Sequence, residues 1–260
     1  VLVAFPMPEI EGDYFSPTGY PTDDPENVFG FATTFNGQPV EASLHQSVFA
    51  LGVDRTKDLV KLGLPLAPHL VSTEEALNAL SEEEKAYLAA IGAASFFDFG
   101  AGEMFYTPIW TLKSSYLWEA VFPAGETVVV EHSYLPGAGG TVAATFLDPE
   151  YGDLAGYRKT YCLEDNIVSA VERTIREPGE YWSAPFTEVW LRYVLSTGAN
   201  WAGPIGTFRL TVDKGSEDNL VSFCGEGVTK TGPTTFEMVQ TDYHPWQDID
   251  VLFLVRWEDF

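Results

Sequence analysis

Over most of its second half the chain alternates apolar and polar positions, the period-two pattern of half-buried β-strands. Runs of this kind fall at about 186–196, 205–213, 219–224, 234–241 and 249–257, separated by turn residues at the spacing of a β-sandwich. In Val189-Trp190-Leu191-Arg192-Tyr193-Val194-Leu195 both odd and even positions carry apolar groups, which predicts a strand covered on both faces. The first half has shorter β-rich runs. Val1–Phe5 predicts a strand stopped by Phe5-Pro6-Met7-Pro8, because proline has no N–H to donate to a ladder. Val28–Phe35 and Gln38–Leu51 flank Asn36-Gly37, the pair that a type I′ hairpin turn requires. A long hairpin is expected from Phe105 to Leu135 about the turn Pro123-Ala-Gly125, ended by the glycine-rich stretch 136–140.

Two stretches break this period. In 72–91, STEEALNALSEEEKAYLAAI, Ser72 with Glu75 and Ser81 with Glu84 fit capping boxes, and Leu77, Leu80, Leu88 and Ile91 supply apolar faces. Two short helices over about 72–92 follow, packed across a sheet end. Asp165–Arg176 reads as one helix with Asp165 at its N-cap, closed by Glu177-Pro178-Gly179. The predicted fold is mainly β, an antiparallel β-sandwich with an immunoglobulin-like C-terminal part and inserted short α-helices. It divides into a β-rich region 1–160 bearing the helical insertion, and a helix followed by a sandwich over 161–260, either as two regions or as one continuous two-lobed unit.

Composition sharpens this picture. The 260 residues are 45% hydrophobic and 14% aromatic, enough for sizeable cores, and no apolar run reaches the length of a membrane span. Lys plus Arg number 14 against 38 Asp plus Glu, a formal charge of −24 that repels nucleic acid and anionic lipid. The two cysteines, Cys162 and Cys224, fit one structural disulfide in an oxidising compartment; neither has a CxxC partner or a nearby histidine.

Candidate chemistry is sparse. His45, His69, His132 and His244 show no HxH, HxxxH or HExxH spacing, and no GxSxG elbow occurs. Glu119, Glu131 and Glu188 are carboxylates on predicted strands that a glycosidase pair could use, a weak signal among so many acids. Asp148, Glu150 and Asp153 offer oxygen ligands for calcium, as do the acids of the loop 11–27, although solvent-facing turn acids are commoner; no other cofactor is expected. The stretch TGANWAGPIGT at 197–207 lacks the lysine of a P-loop and the strand-to-helix setting of a dinucleotide fingerprint. Gly198, Trp201, Gly203 and Gly206 are therefore read as a structural connection between two strands, with glycines at positive φ and Trp201 folded over the sandwich end. Seven tryptophans and many tyrosines pack a core by default, with a sugar-stacking surface as the alternative.

The block EVWLRYVLSTGANWAGPIGTFRLTVDKGSEDNLVSFCGEGV, Glu188 to Val228, resembles the bacterial family called domain of unknown function 4424. The opening VAFPMPEI, the helical insert near STEEAL and the pair Tyr161-Cys162 are similar to it as well, so the resemblance covers nearly the whole chain. It implies a secreted, periplasmic or extracellular bacterial protein of β-sandwich with helical insertions, and it brings no catalytic residues. Members usually start with a signal peptide and further β-rich segments ahead of the VAFPMP block, which this sequence does not show; the edge of the strand at Val1–Phe5 is then expected to need a cover. The expected function is a non-catalytic extracytoplasmic interaction or structural module, a subunit of a larger cell-envelope assembly. Its partners would be other envelope or extracellular proteins, engaged by strand addition at Val1–Phe5, with no nucleic acid and no membrane span. The alternative is a carbohydrate-binding or carbohydrate-active protein using surface aromatics and carboxylates.

Overall fold

A computed structural model of the chain describes every residue except 13–23, 25, 26, 99, 101–103, 178, 197–201 and 258–260. Among the described residues it is mainly β, with antiparallel sheets, short helices and no closed barrel. Two compact units emerge, Val1–Gly137 and Ala138–Phe260.

The first unit contains β1 (Leu2–Pro6), β2 (Ile10–Glu11), β3 (Ala32–Phe35), β4 (Gln38–Pro39), β5 (Ser43–Ala50), β6 (Val53–Asp54), α1 (Thr56–Lys61), α2 (Val71–Asn78), α3 (Glu82–Ala90), β7 (Ala94–Asp98), β8 (Met104–Pro108), β9 (Thr111–Glu119) and β10 (Val130–Ser133). One sheet runs β1-β9-β5-β6, with β2 also on β9, a second runs β10-β3-β4, and β7 pairs with β8. Along β9 the even positions Leu112, Ser114, Tyr116 and Trp118 are buried, as the pleat requires of a strand with one face in a core. The two larger sheets meet through aromatic rings: Phe31, just ahead of β3, stacks on Tyr116 of β9 at 4.4 Å, and His132 of β10 lies 4.5 Å from Phe5 and 5.3 Å from Trp118.

The Asn36-Gly37 turn forms as expected, with φ of 50° and 74° and Phe35 opposite Gln38. Its second strand is cut short. β4 ends at Pro39, the chain crosses between the sheets, and β5 begins at Ser43 beside β9. The hairpin expected over Phe105–Leu135 does not form, because β9 joins the first sheet while β10 pairs with β3 in register Thr33 to His132. Alternation defines a strand and its buried face, but partner choice lies in contacts distant in sequence. The inserted helices α2 and α3 pack on the β8–β7 hairpin. Asn78 joins them, its amide donating to the Tyr106 carbonyl at 2.7 Å and accepting the Tyr106 N–H at 2.9 Å.

Of the two expected capping boxes only the second forms. The Ser81 side chain accepts the Glu84 N–H, and the Glu84 carboxylate accepts the Ser81 hydroxyl at 2.7 Å and the Ser81 N–H at 2.9 Å, which hold that carboxyl below its ordinary range. Ser72 instead lies inside α2, whose N-cap is Leu70. Ser81→Ala is accordingly expected to cost about 1 kcal/mol, read as faster amide exchange at the start of α3, whereas Ser72→Ala should leave exchange there unchanged.

The second unit contains β11 (Gly139–Thr141), a 3-10 turn at Thr145–Leu147, α4 (Leu154–Tyr161), α5 (Asp165–Glu172), a second 3-10 turn at Tyr181–Ser183, β12 (Phe186–Tyr193), β13 (Ile205–Asp213), β14 (Leu220–Phe223), β15 (Thr229–Lys230), β16 (Thr235–Tyr243) and β17 (Ile249–Arg256). β11 and α4, which precede the sequence-based division at 160/161, belong to this unit. A sheet β11-β12-β17-β14 packs against a sheet β13-β16-β15. Ile249, Val251 and Phe253 of β17 face the second sheet, meeting Val212 and Phe208, while Leu252 and Leu254 face α5 through Val168 and Val171. The strand is covered on both faces, as is β12, so their apolar runs are nearly continuous. The stretch expected as a glycine-rich loop at 136–140 contributes β11. There Gly139 lies under the Trp190 ring, and a Cβ on Gly140 would strike the Glu188 carbonyl, so only glycine allows this strand its close approach.

Candidate functional site

The cavity of interest lies in the first unit, at the crossing from β4 to β5. It measures about 620 Å³. The Val40 N–H still bonds the Thr33 carbonyl at 3.0 Å, after which the chain leaves β3. Val40, Ala42 and Leu44, on one side of this extended crossing, form an apolar wall. Gln46 continues it on β5, and Phe31, Ala32 and Thr33, at the start of β3, border it from the other side.

Asn27 and Tyr116 complete the wall together with Asp24. Asn27 behaves like a short piece of strand: its Oδ1 accepts the Phe31 N–H at 2.8 Å and its Nδ2 donates to the Phe31 carbonyl at 3.2 Å. The same Oδ1 accepts the Tyr116 hydroxyl at 2.6 Å. Burial, with the Asp24 charge as a smaller cause, pushes the Tyr116 phenol upward, so Tyr116 is a neutral donor at physiological pH. The Gln46 amide donates to Ser114 Oγ at 3.4 Å. Thr33 is 4% exposed, and its buried hydroxyl has no hydrogen-bond partner among the described residues. Nothing in the sequence marks this set, since its members lie on four separate segments.

The carboxylates singled out on strands do not converge here. Glu119 ends β9, exposed, and Glu131 on β10 is exposed and accepts the Thr34 hydroxyl at 3.1 Å. Glu188 belongs to the second unit, is 1% exposed, and is enclosed by donors. Tyr157 donates to it at 2.5 Å, the Trp190 indole N–H at 3.1 Å, the Thr145 hydroxyl at 3.1 Å and the Phe146 N–H at 3.4 Å. Burial raises its pKa above the ordinary carboxylate value, and the Tyr157 and Thr145 hydrogen bonds oppose that rise. Such an arrangement holds the 3-10 turn and α4 against β12; it leaves no lone pair facing solvent for proton transfer.

The calcium candidates are used locally. Asp148 Oδ1 accepts the N–H groups of Glu150 at 2.8 Å and Tyr151 at 3.0 Å, and these bonds lower its pKa. Asp153 caps α4 through the Gly156 N–H at 2.8 Å. Glu150 is exposed. Among the described residues no three His, Cys, Asp or Glu side chains are gathered as a metal site. In the 197–207 connection Gly198 and Trp201 lie outside the described residues. Gly203 and Gly206 are not at positive φ, Gly206 being the second residue of β13, and the connection runs from a strand of one sheet to a strand of the other.

Cys162 and Cys224 are disulfide-bonded, with Cα atoms 5.0 Å apart. A second cavity of about 350 Å³ opens beside Cys224. Lys159, Arg192, Asp248 and Asp250 line it; Arg192 Nε bonds Asp250 at 2.7 Å, and Asp248 accepts the Leu195 and Ser196 N–H groups. No helix among the described residues is long and apolar enough to cross a membrane.

Residues 1–252 match the family model described as Domain of unknown function (DUF4424). The chain belongs to that family. No curated protein and no solved structure matches it. The match takes in both units, from β1 through the first half of β17, so the cavity, the Glu188 cluster and the disulfide all fall within the family's span.

Proposed function

We propose that this DUF4424 protein is a non-catalytic recognition module that works outside the cytoplasm, in the periplasm or the extracellular medium, as a subunit of a cell-envelope assembly. The observation that carries the reading is the chemistry of the 620 Å³ cavity, whose described lining sets the apolar side chains of Val40, Ala42 and Leu44 and the rings of Phe31 and Tyr116 beside the amides of Asn27 and Gln46 and a single described carboxylate, Asp24. Such a wall orients a ligand by hydrogen bonds and shape, whereas glycoside hydrolysis needs two carboxylates about 5–10 Å apart. The intrachain disulfide supports an oxidising compartment, because cytosolic reductants keep thiols free. β1 supports the partner role. Among the described residues it is the outer strand of its sheet, paired with β9 alone, and a strand from an envelope partner could add to its other side.

Fractionation of the source cells, with thiols alkylated before lysis, tests compartment and redox state together. The protein is expected in the periplasmic or secreted fraction with Cys162 and Cys224 resistant to alkylation. Recovery from the cytosol with both thiols alkylated would overturn the compartment, and release of product from oligosaccharides or peptides incubated with the purified chain would overturn the non-catalytic role.

A further inference from the structure

We infer that the cavity of about 350 Å³ in the second unit binds a free α-amino acid as its zwitterion, Lys159 and Arg192 receiving the carboxylate and Asp248 and Asp250 the ammonium group. The site is independent of the first unit's cavity, so its failure would leave the recognition reading in place.

Three elements assemble it. α4 brings Lys159 in its last turn, β12 brings Arg192, and Asp248 and Asp250 stand just before and within β17. Strand register sets Arg192 opposite Asp250, to which its Nε donates at 2.7 Å. The Cys162–Cys224 bond fixes the helix end at this rim, with Cys224 Sγ 3.7 Å from the Thr160 carbonyl oxygen and 3.9 Å from that of Lys159. The charges are presented to solvent rather than sealed in. Lys159 is exposed, and among the described residues no acceptor holds its ammonium group. The Arg192 side chain is 65% exposed, and its bond to Asp250 uses Nε, which leaves the terminal nitrogens for a ligand. Burial works against ionisation of Asp248, but the Ser196 and Leu195 N–H bonds outweigh it and hold that carboxyl below its ordinary range.

The balance of charge selects the ligand. In a chain of formal charge −24, the described lining sets two cations against two carboxylates. Residues 197–201, which follow Ser196, hold no ionisable side chain and do not alter that balance. Lys159 and Arg192 would repel a metal ion or an organic cation, and the two carboxylates would repel phosphate or sulfate. A neutral ligand would give the Lys159 ammonium no charge to meet. An α-amino acid carries ammonium and carboxylate on neighbouring carbons, so one small molecule can satisfy both pairs through charge-assisted hydrogen bonds. The volume stands at the lower end of small-molecule sites, as such a ligand requires.

Calorimetry on the full oxidised chain tests this with glycine, alanine, serine, leucine, aspartate and lysine, each also as its N-acetyl and amide derivative, and with inorganic phosphate. At least one amino acid should bind, and blocking either end should weaken it about tenfold, the effect of losing a charge-assisted bond. Lys159→Gln, at an exposed position, should keep the melting temperature and weaken the same amino acid about tenfold, while Lys159→Arg should restore most of the affinity. Lys61→Gln makes the same charge change on an exposed lysine of α1 and should leave binding as it is, which separates a local contact from the field of the whole chain. Binding that needs both ends of the amino acid and Lys159 supports the inference. No amino acid bound at millimolar concentration, equal binding of the blocked derivatives, binding of phosphate alone, or a Lys159→Gln chain that binds no worse than Lys61→Gln overturns it.

Discussion

Removing the Cys162–Cys224 bond by a double Cys→Ser substitution is expected to lower the stability of the second unit by about 4 kcal/mol, the chain-entropy value for the 62-residue separation it spans. The bond ties the end of α4 to the residue that follows β14, where the Ser222 hydroxyl also bonds the Tyr161 carbonyl at 2.9 Å. That hydrogen bond, and the packing of Leu163 and Val168 against Leu252, survive the substitution, so the unit should still fold with a lower denaturant midpoint. Cys162 is also the left-handed C-cap of α4, at φ 51°, a position where glycine is at ease. Replacing Cys162 by Gly rather than Ser, with Cys224→Ser in both, should therefore recover about 1 kcal/mol. Hydrogen exchange resolved by peptide reads the result: protection should fall in 138–260 and hold in 1–137. A double variant whose exchange matches the wild type would show that the bond adds nothing to the folded state.

What the chain discloses in sequence depends on the range of the interactions involved. Strands β13, β16 and β17 are legible because alternation and turn residues act locally, and predicted 205–213 coincides with β13. Asn36-Gly37 is legible for the same reason, two residues sufficing to set a turn. The helices α1 and α4 were not, since neither opens on the Ser-x-x-Glu box that marks α3, and segments of six and eight residues are held by packing rather than by propensity. Sheet membership was hidden where a strand leaves its neighbour, as at Pro39 and again between β9 and β10. The disulfide could be read because the chain holds only two cysteines. The cavity could not, because Asn27, Thr33, Gln46 and Tyr116 have no common spacing and are joined only when two sheets close on each other.

Glu188→Ala should be as damaging as losing the disulfide, for a different reason. It strips the acceptor from the Tyr157 and Thr145 hydroxyls, the Trp190 indole N–H and the Phe146 N–H, and each orphaned buried donor costs about 1–3 kcal/mol unless water replaces the lost oxygen. With partial rescue by water the net cost should be about 3–5 kcal/mol, in the class of broken buried networks. Glu188→Gln keeps the volume but sets an NH2 against these donors, and it should fall between wild type and alanine. The pH dependence separates acceptor from ornament. Burial, the leading cause, raises the folded-state pKa of Glu188 above the unfolded value of about 4.3, so the folded state holds its proton more tightly. The stabilisation that this proton provides is complete below about pH 4 and fades as pH rises through the folded pKa. Denaturation of wild type and Glu188→Gln at a series of pH values should then show a larger gap at pH 4 than at pH 7, because glutamine has no proton to lose. A gap that widens toward pH 7 would mean that the donors outweigh burial and the carboxylate is held ionised. An unchanged midpoint in Glu188→Ala would remove the structural role and return Glu188 to consideration as a reactive group.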